Sequence, residues 1–181
     1  ILGILGENGT GKTTFVKILA SILKQDKGEI THKVKVSYKP QYLEVSDALV
    51  VDVLKAAFNK YENQIVNPLN ISQLSLNKLN ELSGGELQRV AIAHCLQQDA
   101  DLYLLDEPSA YLDSEQRLVL SKVVRDFAGQ KNASALIVDH DLLFLDYISD
   151  KLIVFEGKPA IEGHVAGPFD MEEGMNRFLK E

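Results

Sequence analysis

The chain has 181 residues, 45% of them hydrophobic, and a formal net charge of −7. That amounts to about one domain with enough apolar residues for a core, and the acidic balance excludes a global pull toward nucleic acid or an anionic membrane. A single cysteine, Cys95, excludes an internal disulfide, an Fe–S ligand set and a zinc site built from cysteines, and no apolar run approaches the roughly 18 residues of a membrane span.

Ile1 to Leu5 is short, apolar and followed by a Gly-rich turn, and reads as a buried strand. Phe15, Ile18, Leu19, Ile22 and Leu23 then recur at helical spacing until Gly28 ends the unit. Lys35 to Lys39 alternates around Val36 and Tyr38, and Pro40 stops it. Val51, Val53, Leu54, Ala57 and Phe58 indicate a helix, whereas Asn63 to Asn80 has no clear period and predicts short helices and loops. Ser83 to Gln97 is a helix that opens on a capping-box pattern. Tyr103 to Leu105 is a buried strand, and Asp113, with Gln116 three residues on, opens a helix through Leu120, Val123, Val124 and Phe127. Ala135 to Val138 is a strand, Leu142 to Ile148 a short helix, Leu152 to Phe155 a strand ending at Gly157, and Glu172 to Leu179 a last helix. Strands alternating with helices imply a mainly parallel sheet covered on both faces. Because the first residue already belongs to a strand, no signal peptide is expected, and the chain reads as a fragment.

The lysines Lys24, Lys27, Lys33, Lys35 and Lys39 are diluted by Asp26 and Glu29 and read as a solvated, alternating surface. Cys95, among Ala91, Ile92, Ala93 and Leu96, reads as core, and a reducing cytosolic compartment fits it.

Four motifs carry chemistry. Gly6-x-x-x-x-Gly11-Lys12-Thr13 matches the P-loop pattern between a strand and a helix. Its glycines let backbone N–H groups wrap phosphates, Lys12 reaches the β and γ oxygens, and the Thr13 hydroxyl ligates Mg²⁺. Leu104 and Leu105 end an apolar strand at Asp106 and Glu107. Asp106 would hold Mg²⁺ indirectly, and Glu107 can orient or deprotonate an attacking water. Ser83-Gly84-Gly85-Glu86 caps a helix, but two glycines in a first turn cost it about 1 kcal/mol each against alanine. Close backbone approach by a phosphate explains them, and because the chain already has one cradle at Lys12, the second would serve a nucleotide bound to another module. His140 follows Ile137 and Val138 at a strand end, where it can donate to a γ-phosphate oxygen and hold water and Glu107 in line. Gln41, between these motifs, can touch Mg²⁺ or the water. His32, His94 and His164 have no such context and read as structural.

On these residues the chain resembles the nucleotide-binding domain of an ABC ATPase. Gly6 to Thr13 corresponds to Walker A, Gln41 to the Q-loop and LSGGE to the signature; Asp106 and Glu107 correspond to Walker B and its glutamate, Ser109 to Asp113 to the D-loop and His140 to the H-loop. EPSAYLDSEQR, in which Tyr111 is an extra residue, is more specific, as are VSYKPQY, VDHDLLFLDYISDKLIVFEG and EGMNRFLK. These segments are similar to the class E ribosome-recycling factors of archaea and eukaryotes, the RNase L inhibitor family. The TTF after Lys12 and the EGMNRFLK ending resemble that family's second ABC domain.

The resemblance implies an α/β P-loop NTPase of ABC type: one domain over 1–181, with a mainly parallel sheet core and a helical subdomain over about 45–97. The antiparallel strands and adenine-stacking aromatic that the family carries before the P-loop are expected to be missing. Glu7 stands where the family more often has Pro or Ser, and its side chain is expected to face outward. The implied ligands are ATP or ADP and Mg²⁺, with no Fe–S cluster on this segment. Asn8, Gly9, Thr10, Gly11, Lys12, Thr13 and Thr14, with Ser83, Gly84 and Gly85, are the implied nucleotide contacts. Thr13, Gln41 and Asp106 would serve the metal, and Glu107, His140 and Gln41 the catalysis. The implied activity is ATP hydrolysis only on pairing with a second ABC domain of the same full-length protein. Through that protein the implied partners are the small ribosomal subunit and a release or rescue factor, with no membrane and in the cytoplasm. Two other readings stand beside this one. The first is a transporter ATPase receiving a coupling helix at Val45 to Asn80; the second is a nucleotide-gated clamp with little turnover. SAYLDSEQR and EGMNRFLK argue against the first, and intact Glu107, Gln41 and His140 give no reason for the second.

Overall fold

The structure is a computed structural model, and it describes residues 1–31, 34–41, 44–158 and 161–180. His32, Lys33 and Tyr42, named above, lie outside them. In chain order the regular elements are β1 (Leu2–Gly6), α1 (Lys12–Leu19), β2 (Val36–Lys39), α2 (Val50–Val53), α3 (Lys55–Lys60), α4 (Gly84–Leu96), β3 (Leu102–Asp106), α5 (Ser114–Lys131), β4 (Ser134–Val138), α6 (Leu142–Ile148), β5 (Lys151–Lys158), β6 (Glu162–Phe169) and α7 (Met171–Leu179). The strands form one sheet in the order β2-β3-β4-β1-β5-β6. The first five run parallel, and β5 and β6 pair antiparallel.

Because strand side chains alternate, neighbouring apolar residues serve opposite faces. Ile4, Leu104, Leu136 and Val138 pack with Val16 of α1 on one side. Leu5, Leu105, Ala135 and Ile137 pack with Ile92, Leu120, Val124 and Leu145 on the other. This is why the strands read as continuous apolar runs: both faces are covered. On α5, Leu120, Val123, Val124 and Phe127 are buried as their spacing predicted, and Phe127 meets the rings of Tyr61 and Tyr103 edge-on at 5.1 and 6.1 Å.

Three expectations change. The first helix stops at Leu19, because Ser21 takes the left-handed conformation (φ 59°); Ile22 and Leu23 are left 57% and 43% exposed. The single helix expected around Val51 to Phe58 breaks at Leu54, and α2 and α3 lie either side of the break. β6 was not anticipated: EGHVAGPF has no two-residue hydrophobic alternation, and backbone pairing to β5 alone makes it a strand. The unpatterned stretch before α4 contains a π turn (Glu62–Val66) and two 3₁₀ turns (Ser72–Leu74 and Leu79–Glu81). Arg89 on α4 and Gln97 just after it hold this stretch and the α2–α3 break by their backbones. Arg89 donates to the carbonyls of Leu69 and Asn70 at 2.8 and 3.2 Å, and Gln97 bonds the Ala57 N–H and the Val53 carbonyl. Such bonds satisfy main-chain groups that an irregular segment would otherwise bury unpaired. Among the described residues, no helix is long and apolar enough to cross a membrane.

Candidate nucleotide site

β1 ends in the loop that α1 follows, and the C-terminal ends of β3 and β4 lie beside it. Their loops therefore meet at one edge of the sheet, the usual place for a ligand in parallel α/β folds. A cleft of about 280 Å³ opens there, lined by Asn8, Gly9, Gly11, Lys12, Thr13, Thr14, Gln41, Glu107, Val138 and His140. Residues separated by up to 132 positions in sequence thus share one wall. Gly11 immediately precedes α1 at φ 98°, a conformation open to glycine, which lets the loop turn into the helix.

Lys12 is 6% exposed. Its ammonium donates to the carbonyls of Gly6 and Glu7, each at 2.7 Å. Burial lowers its pKa, opposed by the charges of Glu107, Asp106 and Glu7. Thr10 lies behind the cleft, its hydroxyl donating to the Glu7 carbonyl at 2.8 Å, and the Glu7 side chain faces outward as expected. Asp106 is fully buried. Burial raises its pKa, a hydrogen bond from Thr13 lowers it and the Glu107 charge raises it again. Tyr38 donates to its Oδ2 at 3.4 Å, while Oδ1 has no partner. A buried carboxylate oxygen left unpaired beside a threonine hydroxyl fits a divalent cation, so Thr13, Asp106 and the nearby Gln41 suit Mg²⁺.

Glu107 has a left-handed backbone (φ 48°), uncommon for a residue with a side chain. Its N–H donates to the Val138 carbonyl at 2.7 Å, and its Oε1 lies 3.1 Å from His140 Nε2. Glu107 and His140, 33 positions apart in sequence, thus face each other within hydrogen-bonding distance. Asp139, one residue before His140, was missed by the sequence reading. It is 4% exposed. Its Oδ1 accepts from the Ser109 hydroxyl and the His140 N–H, each at 2.8 Å, and from the Asp141 N–H at 3.0 Å; Oδ2 accepts from the Ser109 N–H at 3.0 Å. One carboxylate ties the loop after β3 to the loop after β4.

Two further residues were missed. Lys39, taken above as part of a solvated surface, is 1% exposed. With Ser37 it forms the polar face of β2, but that face meets α4: the Ser37 hydroxyl donates to the Cys95 carbonyl at 2.8 Å. Burial drives the Lys39 pKa down to about 8, while Asp106, Asp139 and Glu107 pull upward. Gln88, 2% exposed, reaches from α4 to the Glu107 and Pro108 carbonyls at 2.7 and 2.9 Å. Polar residues at alternate positions of a strand signal a face, and nothing local says whether that face meets water or a helix.

Ser83, Gly84 and Gly85 do not line the cleft. Ser83 begins α4 with the expected capping box: its N–H and hydroxyl donate to Glu86 Oε2 at 2.8 and 2.7 Å, and its oxygen accepts from the Glu86 N–H at 3.4 Å. The glycines also have a requirement inside this chain. A Cβ on Gly85 would lie 2.9 Å from the Tyr111 carbonyl oxygen, and one on Gly84 would lie 3.2 Å from the Tyr111 ring. Tyr111, with φ 63° and 75% exposed, is folded over this helix start.

The family model described as ABC transporter matches residues 1–110. The chain belongs to that ABC family of ATPases. This ABC domain is 54% identical, over its whole length and 31% of the relative, to an uncharacterised ABC transporter ATP-binding protein of Methanocaldococcus jannaschii. It is 46% identical to the translation initiation factor RLI1 of Saccharomyces cerevisiae, over 99% of this chain and 31% of that protein. It superposes with a TM-score of 0.93, at 48% identity, on the archaeal ribosome recycling factor aABCE1 solved with the archaeal ribosomal stalk protein aP1. That match covers 99% of this chain and 36% of the other. The ABC domain thus spans about a third of the length of these relatives.

Proposed function

We propose that this chain is an ATP-binding and ATP-hydrolysing module of a ribosome-recycling factor, working by closure against a second ABC domain with ATP between them. The observation that carries the hydrolytic reading is the convergence of Lys12, Thr13, Gln41, Glu107 and His140 on one cleft, with Asp106 behind it. The similarity to a ribosome recycling factor and to RLI1 supports the ribosomal reading. Lys12 would turn from the Gly6 and Glu7 carbonyls to β and γ oxygens of the incoming triphosphate, exchanging dipoles for full charges. Thr13, Asp106 and Gln41 would hold Mg²⁺, which when bound neutralises charge on the same phosphates. Glu107 would accept the proton of the attacking water, and His140 would hold that carboxylate and a γ oxygen in line. Ser83, Gly84 and Gly85 would take the γ-phosphate of the partner's nucleotide at the N-terminus of α4, so each complete site needs two domains. In the full-length protein the partners are the other ABC domain, the small ribosomal subunit and a release or rescue factor, in the cytoplasm.

The test is site-resolved hydrolysis in the intact protein that carries this chain. ATP with a photoreactive azido adenine and a radiolabel on either the α- or the γ-phosphate is bound, cross-linked at intervals and quantified on this chain. The α-label reads occupancy, and loss of γ-label reads hydrolysis at this site. Glu107→Gln is expected to keep the α-label and retain the γ-label. Loss of γ-label at the wild-type rate overturns the reading.

A further inference from the structure

We infer that Lys39 is a positioning residue for hydrolysis, its ammonium fastening the main-chain turn that aims Glu107 into the cleft. The inference rests on Glu107 acting on the attacking water, as proposed above. Lys39 ends β2, in register with Leu105 of β3, so its side chain runs beside the strand that delivers Asp106 and Glu107. Its Nζ donates to the Asp106 carbonyl at 2.8 Å and to the Glu107 carbonyl at 3.4 Å. Its hydrogen bonds go to carbonyls and not to the nearby carboxylates.

That choice of partners is informative. Two consecutive carbonyls turned toward one point bring the negative ends of two dipoles together, and a cation between them offsets the repulsion. They converge at the left-handed turn of Glu107, a conformation that sterics disfavour for a residue with a Cβ. Release of the turn would send the side chain away from His140 Nε2, now 3.1 Å from Oε1. Gln88 fastens the same peptide from the other side, donating to the Glu107 carbonyl at 2.7 Å from α4. Lys39 and Gln88 come from separate elements, are both buried, and meet on one carbonyl oxygen. An apolar residue would fill the space of Lys39 without desolvating a charge, so packing alone does not account for a lysine there.

The site-resolved assay tests this with Lys39→Met, Gln88→Leu, the double variant and Glu107→Gln as the floor. Lys39→Met is expected to slow γ-label loss about tenfold or more, as misplacement of a reacting group does, with α-label occupancy kept and the protein still folded, its melting temperature lowered because the buried Asp106 carbonyl loses its donor. Gln88→Leu should slow it as well. The double variant should lose less than the product of the two factors, because both side chains hold one oxygen. Lys39→Met hydrolysing at the wild-type rate overturns the inference, and so does a loss that is multiplicative with Gln88→Leu. If Lys39→Met does not fold, Gln88→Leu decides: slowed hydrolysis at full occupancy in the folded protein supports the fastening of Glu107, and wild-type hydrolysis overturns it. An active Glu107→Gln removes the hydrolytic reading and this inference together. An inactive Glu107→Gln beside a fully active Lys39→Met removes only the role of Lys39.

Discussion

Replacing Asp139 separates a positioning carboxylate from a solvated one. Four donors converge on its two oxygens: the Ser109 hydroxyl and N–H, and the N–H groups of His140 and Asp141. Both Ser109 bonds are buried, whereas the other two are only partly so. Asp139→Ala removes every acceptor at once. The buried Ser109 donors then lose their partner in a place water does not reach, about 1–3 kcal/mol each, and the two partly buried N–H groups lose roughly 0.5 kcal/mol each because water replaces the carboxylate. Since the Ser109 hydroxyl can rotate toward another acceptor, the lower half of that range applies, and the total is about 3–5 kcal/mol. Asp139→Asn keeps Oδ1 and its three donors but sets an amide NH₂ against the Ser109 N–H, costing about 1–2 kcal/mol. Urea unfolding of the two variants measures this, read as a fall in midpoint at unchanged slope. Stability of Asp139→Ala within about 1 kcal/mol of wild type would refute the reasoning, as would equal damage from both substitutions. The same geometry predicts a functional ordering: with Oδ1 lost, the His140 backbone is released, so γ-label loss should slow more in Asp139→Ala than in Asp139→Asn.

Gly85→Ala should destabilise the chain by about 1–3 kcal/mol in spite of alanine's higher helix propensity, because the added Cβ meets the Tyr111 carbonyl. Gly84→Ala should be milder, since it meets an exposed ring that can swing; chemical denaturation in which Gly84→Ala is the worse of the two would contradict this. Ser83→Arg should leave α-label occupancy of this chain's own site unchanged while blocking closure against the second domain, and weakened binding at the chain's own site would show that Ser83 serves its own nucleotide. Buried Glu156 accepts from Arg177 on α7 and bonds His164 Nε2 on β6 at 2.8 Å, and these partners, Arg177 first, hold its pKa down to about 2. A depressed carboxylate pKa stabilises the fold above the ordinary carboxylate value and loses that contribution as pH falls toward the folded value. Glu156→Gln should therefore flatten the fall in stability between about pH 4.5 and pH 2, and an unchanged acid profile would exclude this cluster as its source.

What the sequence by itself determined is local in origin. The P-loop is legible because its cradle is built from consecutive residues, Gly6 to Thr13, and its glycine, lysine and threonine have few other reasons to stand at that spacing. The caps at Ser83 and Asp113 close over three residues and formed as expected. The inner parallel strands β1, β3 and β4 are legible because burial on both faces leaves a continuous apolar core in each run. The convergence of Gln41, Glu107 and His140 was reached through the order of motifs, and their shared cleft required the sheet to bring the loops after β1, β2, β3 and β4 to one edge. What only the tertiary structure decided depends on partners distant in sequence. Lys39 lies 67 positions from Asp106, and its pattern on β2 is that of a solvated strand until α4 covers it. Asp139 joins Ser109 across 30 positions, and Gln88 joins Glu107 across 19. Gly84 and Gly85 read as room for a phosphate, and the fold adds Tyr111 against them. β6 lacks any hydrophobic period, because a strand on the sheet's edge is defined by the hydrogen bonds of its neighbour. Propensity, capping and periodicity act within a few residues, whereas burial of a charge or choice of an acceptor depends on which surfaces the whole chain brings together.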